Sequence, residues 1–146
     1  RQAVAAEKLP LQQWSHVAGV FDGEAVSLYV NGRLAAQSEA SGMRKPNKQP
    51  LFIGADPDGN GQPTRSFIGK LDNVRLSKGV RYTGEAFDLS VSEFMVDADT
   101  LLLFDCDRVV SFFLPGQKSG GQISARLAGA KAHLVEGVIT RQVSNR

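Results

Sequence analysis

The stretch from Trp14 to Arg33 reads WSHVAGVFDGEAVSLYVNGR, two apolar runs broken first by Asp22-Gly23 and then by Asn31-Gly32. Asn-Gly between apolar runs is a strong hairpin signal, because a type I′ turn needs positive φ at both central residues and these two tolerate it best. Asp-Gly supplies a second turn of similar chemistry. In Val26-Ser27-Leu28-Tyr29-Val30 the side chains of Val26, Leu28 and Val30 share one face and those of Ser27 and Tyr29 the other, the alternation of a half-buried strand. This reading sends Tyr29 outward. Val17 to Phe21 is short and apolar almost throughout, so it reads as a strand covered on both faces, with Trp14 anchoring its start.

Further strands are expected at Arg33 to Gln37, Leu51 to Ala55, Phe67 to Leu76 and Leu101 to Phe104, with one or two closing strands in Gln122 to Val135. Clusters of Gly, Pro, Asn and Asp separate them, and no long helical period bounded by caps occurs. Closely spaced strands with such turns indicate an all-β sandwich of antiparallel sheets. Ala86 to Phe94 has room for one short turn, and Val143 to Arg146 reads as a frayed polar end beyond a domain spanning 1–140. Within Phe67 to Leu76 the apolar parity switches across Asp72-Asn73. Either a bulge re-aims the chain there or both faces of the strand are covered. In both cases Asp72 has apolar neighbours and needs Arg75, backbone N–H groups or a cation to hold its charge.

Four of these segments, taken in order, resemble one family. Trp14-Ser15-His16-Val17-Ala18-Gly19-Val20-Phe21-Asp22-Gly23 with Leu28-Tyr29-Val30-Asn31-Gly32-Arg33 is similar to the core hairpins of laminin-G-like domains, in the concanavalin A-like lectin and glucanase superfamily. Leu51 to Ala55, Phe67 to Ser77 and Val80-Arg81-Tyr82-Thr83 follow in that family's order. The resemblance covers Leu9 to Phe104 well and implies a jelly-roll sandwich. It further implies a non-catalytic binding module of a secreted, periplasmic or cell-surface protein, with carbohydrate or another surface protein as ligand. Family members carry several strands before the position of Trp14, so the chain is expected to begin inside its domain.

Composition narrows the partners. The chain has 146 residues, 42% hydrophobic and 22% charged, enough for one core. Its 17 basic and 15 acidic residues leave a formal charge of +2. Arg44, Lys45, Lys48, Arg65, Lys70, Arg75, Lys78 and Arg81 are dispersed rather than interleaved with stacking aromatics, which argues against a nucleic-acid partner. No apolar stretch is long enough to cross a bilayer as a helix. Cys106 is the single cysteine, so no internal disulfide is possible. Between Asp105 and Asp107 it reads as a buried, inert thiol, since adjacent carboxylates raise a thiol's pKa.

Three sets of residues are candidates for chemistry. Asp56-Pro57-Asp58-Gly59-Asn60-Gly61 has the oxygen ligands and glycine that open a calcium loop, with Asp56, Asp58 and Asn60 as ligands; the same residues are what a tight turn demands. Gly69 to Arg75 matches a family pattern whose Asp helps to hold structural calcium, which adds Asp72 to the candidate Ca²⁺ ligands by resemblance. Tyr29, Arg81 and Tyr82 are the candidate ligand-binding residues, Tyr29 for its outward face and the other two for their place on a loop. Trp14 and Phe87 are expected in the core.

Catalysis finds little support. There are two histidines, His16 and His133, and no Gly-x-Ser-x-Gly elbow to present a serine. The Glu-x-Asp-x-x-Glu strand of related glucan hydrolases is absent, and Asp105 with Asp107 is a pair common on solvated turns. A remnant of a polysaccharide hydrolase and a structural spacer are the alternatives to a binding module.

Overall fold

The structure is a computed structural model that describes residues 2–42, 51–89, 94–106, 113–126, 132–134 and 143–145. No α-helix occurs among them, and every strand pairing is antiparallel. The chain divides into two compact units, one of Arg1–Lys45 with Gly79–Glu93 and one of Pro46–Lys78 with Phe94–Arg146.

The first unit is built on the expected hairpins. Strands β1 (Val17–Phe21), β2 (Ala25–Val30) and β3 (Arg33–Glu39) form a sheet in that order. Val30 faces Arg33 across a two-residue turn in which Asn31 has φ 50° and Gly32 φ 76°, the left-handed pair that a type I′ turn requires. The side chain of Asn31 reaches back, its Oδ1 accepting from the His16 N–H at 2.9 Å, while the Asn31 N–H donates to the His16 carbonyl at 2.9 Å. At the other turn, Oδ1 of Asp22 accepts from the N–H groups of Ala25 (2.8 Å) and Glu24 (2.9 Å). Those bonds, the Ala25 one foremost, hold its carboxyl below the ordinary value. The register shifts by one residue between Leu28 and Tyr29, where β3 carries a bulge.

The second unit holds the rest. Among the described residues, β4 (Asp56–Pro57) and β5 (Pro63–Thr64) form a hairpin and pair with no other strand. Strand β6 (Gly69–Leu71) pairs with β12 (Val143–Asn145), which also pairs with β11 (Ala132–Leu134). Strand β7 (Val74–Ser77) begins a four-stranded sheet with β8 (Thr100–Phe104), β9 (Phe113–Lys118) and β10 (Gly121–Arg126). Leu102, Leu103 and Phe104 are all buried, so β8 is covered on both faces as its unbroken apolar run predicts. Leu101, at the start of that run, is exposed.

Several expectations need correction. Leu51 to Ala55 forms no strand. Phe67 to Leu76 is two strands, and the parity switch marks where they part: Asn73 sits at φ 49° and the chain passes from the sheet of β6 to that of β7. Val143 to Asn145 is paired with β6, so those residues are held by backbone hydrogen bonds instead of fraying. Residues 90–93, within the short turn expected at Ala86 to Phe94, lie outside the described residues.

Candidate binding surface

In the first unit the two faces of the β1-β2-β3 sheet have exchanged the roles that periodicity gave them. Tyr29 is 2% exposed and Ser27 is buried beside it, whereas Val26, Leu28 and Val30 on the opposite face are half-buried. The outward placement of Tyr29 is therefore overturned. The cause is the segment that follows Gly79, which lays Tyr82 and Phe87 near Tyr29. The ring of Tyr82 stacks on Phe87 at 3.8 Å between centroids and 10° between planes. Tyr29 meets Phe87 edge-on at 5.5 Å, and His16 meets Phe87 at 5.7 Å and Tyr82 at 6.0 Å in the same manner. Such edge and offset contacts follow the ring quadrupole and add about 0.5–1.5 kcal/mol per pair beyond burial.

A polar tether fixes the cluster. The Tyr29 hydroxyl donates to the Gly84 carbonyl at 2.9 Å, which satisfies the one polar atom of a buried phenol. Backbone bonds then dock the same segment along β3: Leu34 N–H to Glu85 carbonyl at 2.9 Å and Phe87 N–H to Gly32 carbonyl at 2.8 Å. Arg81 and Tyr82 are half-buried at the start of this segment. The structure thus brings Tyr29 and Tyr82 together, their ring centroids 6.2 Å apart and tilted by 59°, with Tyr29 buried and Tyr82 half-buried. Sequence periodicity missed this because alternation says which residues share a face, not which face a later segment will cover. Phe87 joins the packed cluster as expected, while Trp14 is 49% exposed and does not fill the core place assigned to it.

The calcium candidates are distributed differently. In the β4–β5 turn, Oδ1 of Asp58 accepts from the N–H of Asn60 and of Gln62, both at 2.8 Å, and the Asp58 N–H donates to the Gln62 carbonyl at 2.8 Å. That is turn chemistry, with Gly61 at φ 76° completing it. Asp56 is exposed on β4, and Asp72 lies half-buried at the corner between β6 and β7. Among the described residues no three His, Cys, Asp or Glu side chains gather where they could hold a metal ion; Asp56 and Asp58 lie on the β4–β5 hairpin and Asp72 at the β6–β7 corner.

Near that corner Cys106 is 2% exposed, its thiol donating to the Phe104 carbonyl at 3.7 Å. Burial first, then the charge of Asp72, push the thiol up to about 12 from an ordinary 9.0, with a smaller push from Asp105. Asp107 lies outside the described residues. Arg75 is engaged elsewhere, its Nη2 bonded to Asp97 Oδ2 at 3.0 Å and Thr100 Oγ1 at 3.2 Å.

These features define an all-β protein of antiparallel sheets in which a packed aromatic cluster pins a loop beside a hairpin sheet, consistent with a concanavalin A-like sandwich. A family model, Laminin_G_3, described as the concanavalin A-like lectin/glucanases superfamily, matches residues 1–85, and the chain belongs to that family. No curated protein and no solved structure matches it. The superfamily embraces lectins and glucanases alike, so membership fits a binding module without naming a ligand. No helix among the described residues is long and apolar enough to cross a membrane.

Proposed function

We propose that the chain is a non-catalytic recognition module working at an extracellular, periplasmic or cell-surface location, with carbohydrate or a surface protein as ligand. The observation that carries this reading is the family match over residues 1–85, which takes in both the hairpin sheet and the Arg81-Tyr82 loop. Loops held on a rigid sheet are where binding residues concentrate, and this loop is held by the stacked rings and by the Tyr29 tether. Arg81 supplies a charged, multidentate donor for hydroxyl or carboxylate groups, and Tyr82 a flat ring already locked in place. Tyr29 belongs to the site as its support. The reading needs no metal, and calcium assistance through Asp56, Asp58, Asn60 and Asp72 enters as an arm of the test.

A glycan array probed with the purified chain, once with millimolar calcium and once with excess chelator, tests the proposal. Saturable binding that falls at least about tenfold in Arg81→Ala without a change in melting temperature is the expected result. Loss of binding in chelator would bring calcium into the site. Absence of saturable binding to glycans and to cell-surface protein extracts would leave a structural spacer, and turnover across a panel of β-glucans would move the chain to the hydrolases of its superfamily.

A further inference from the structure

The loop that carries Arg81 and Tyr82 is held differently along its length. Its later part is docked by hydrogen bonds, with the Gly84 carbonyl accepting from Tyr29, the Glu85 carbonyl from the Leu34 N–H, and the Phe87 N–H donating to Gly32. In its earlier part the Tyr82 ring meets three others, stacked on Phe87, tilted against Tyr29 and edge-on to His16. His16 stands outside the loop, one residue before β1. Ala18 and Val20 pair with Tyr29 and Ser27, so by alternation the His16 side chain leaves the chain on the face of Tyr29. Its backbone N–H and carbonyl are both bonded to Asn31, whose conformation the type I′ turn sets. The imidazole therefore starts from a fixed point. Because the Tyr82 and Phe87 rings are only 10° from parallel, it crosses both near a right angle, Phe87 at 79° and Tyr82 at 89°. It is seated against the stack and not against one ring of it.

We propose that His16 is a positioning residue for Arg81: the hairpin turn fixes the imidazole, the imidazole orients the Tyr82–Phe87 stack, and the stack sets where the Arg81 end of the loop stands. Two parallel rings slide and turn over each other with little change in overlap. A third ring placed across them removes that freedom, since an edge contact depends on orientation through the ring quadrupole. An aliphatic side chain of similar bulk would fill the same space without that preference. Any turn of the Tyr82 ring is passed to its own backbone and so to Arg81, its neighbour in the chain. The inference rests on the recognition reading in taking Arg81 as a ligand contact, whereas the placing of the loop is a property of the chain with or without a ligand.

The test is amide hydrogen exchange and NMR on the whole chain, parent against His16→Leu and His16→Phe. The Leu34 and Phe87 amides report docking of the loop. In His16→Leu they should exchange at least about fivefold faster, the worth of two edge contacts, while amides of the β1–β2 ladder exchange as in the parent. His16→Phe restores a ring edge and should return both amides to the parent rate. On a glycan array His16→Leu should weaken saturable binding as Arg81→Ala does, and His16→Phe should recover it. In the parent, cross-relaxation from the His16 ring to both the Tyr82 and the Phe87 rings is expected, which carries the test if the leucine variant fails to fold. Unchanged Leu34 and Phe87 exchange in His16→Leu, faster exchange throughout the ladder, a phenylalanine variant that behaves as the leucine one, or a parent without those cross-peaks would each overturn the proposal. An array without saturable binding would remove the recognition reading and leave the exchange result to decide the role of His16.

Discussion

At Gly32 one residue meets two demands. Its φ of 76° belongs to the left-handed region, and a Cβ there would run into the carbonyl of Phe87, the same carbonyl-bearing segment that docks on β3. Strain of this kind costs about 1–3 kcal/mol, so Gly32→Ala is expected to lower the unfolding free energy by that much, read as a lower denaturant midpoint at an unchanged m-value. Gly19, two strands away, has neither constraint. The turn was legible in the sequence because Asn-Gly is a local code, complete in two residues. The fate of Tyr29 was not, since its burial depends on Tyr82 and Phe87, more than fifty positions later, and on a hydroxyl bond to the Gly84 carbonyl. The same limit applies to Trp14, whose place in the family's hairpin motif implied a burial that no segment among the described residues provides.

At the scale of elements, β7 and β8 are clamped by one polar knot. Asp97 Oδ2 pairs with Arg75 at 3.0 Å, while its Oδ1 accepts from the Thr100 hydroxyl at 2.8 Å and the Asp99 N–H at 3.0 Å. The Arg75 side chain is 9% exposed, so removing its partner leaves a largely desolvated cation. Asp97→Ala should cost about 1–3 kcal/mol in a urea titration, and Asp97→Asn, which keeps the turn acceptor and loses the charge, should cost less. The parity switch in Phe67 to Leu76 announced that something changes at Asp72-Asn73. It did not announce that the strand changes sheets there, because a bulge, a doubly covered strand and a corner leave the same trace in an apolar pattern. Likewise the Asp56 to Gly61 stretch held two readings, as calcium loops and tight turns draw on the same residues. The bonds from Asn60 and Gln62 to Asp58 are those of the turn.

For the molecule as a whole, Cys106 is a reporter of opening. Its pKa is raised in the fold to about 12, so the neutral thiol is favoured by folding and the ionised one by unfolding. The associated stability is fully present below the ordinary thiol value of 9.0 and is lost as pH rises toward and through about 12. Alkylation of the native chain at pH 8 is expected to proceed at the rate of structural opening, and the alkaline loss of stability should be shallower in Cys106→Ala than in the parent. Labelling at the rate of a free thiol would contradict the burial. The all-β architecture was the best-read property at this scale, because turn residues and short apolar runs repeat along the chain and each repetition adds to the same conclusion. Pairings such as β12 on β6 join residues about seventy positions apart and leave no such local signature.

The Asn31-Gly32 turn also sets how the protein ages. An asparagine followed by glycine is the pair most prone to close a succinimide, which reopens to aspartate or to isoaspartate. Aspartate would keep the acceptor for the His16 N–H and still tolerate the left-handed backbone. Isoaspartate would insert an extra carbon into a two-residue connection and shift the pairing of β2 with β3. One deamidation product would thus be silent in everything but charge, and its isomer would unpick the hairpin on which the first unit rests.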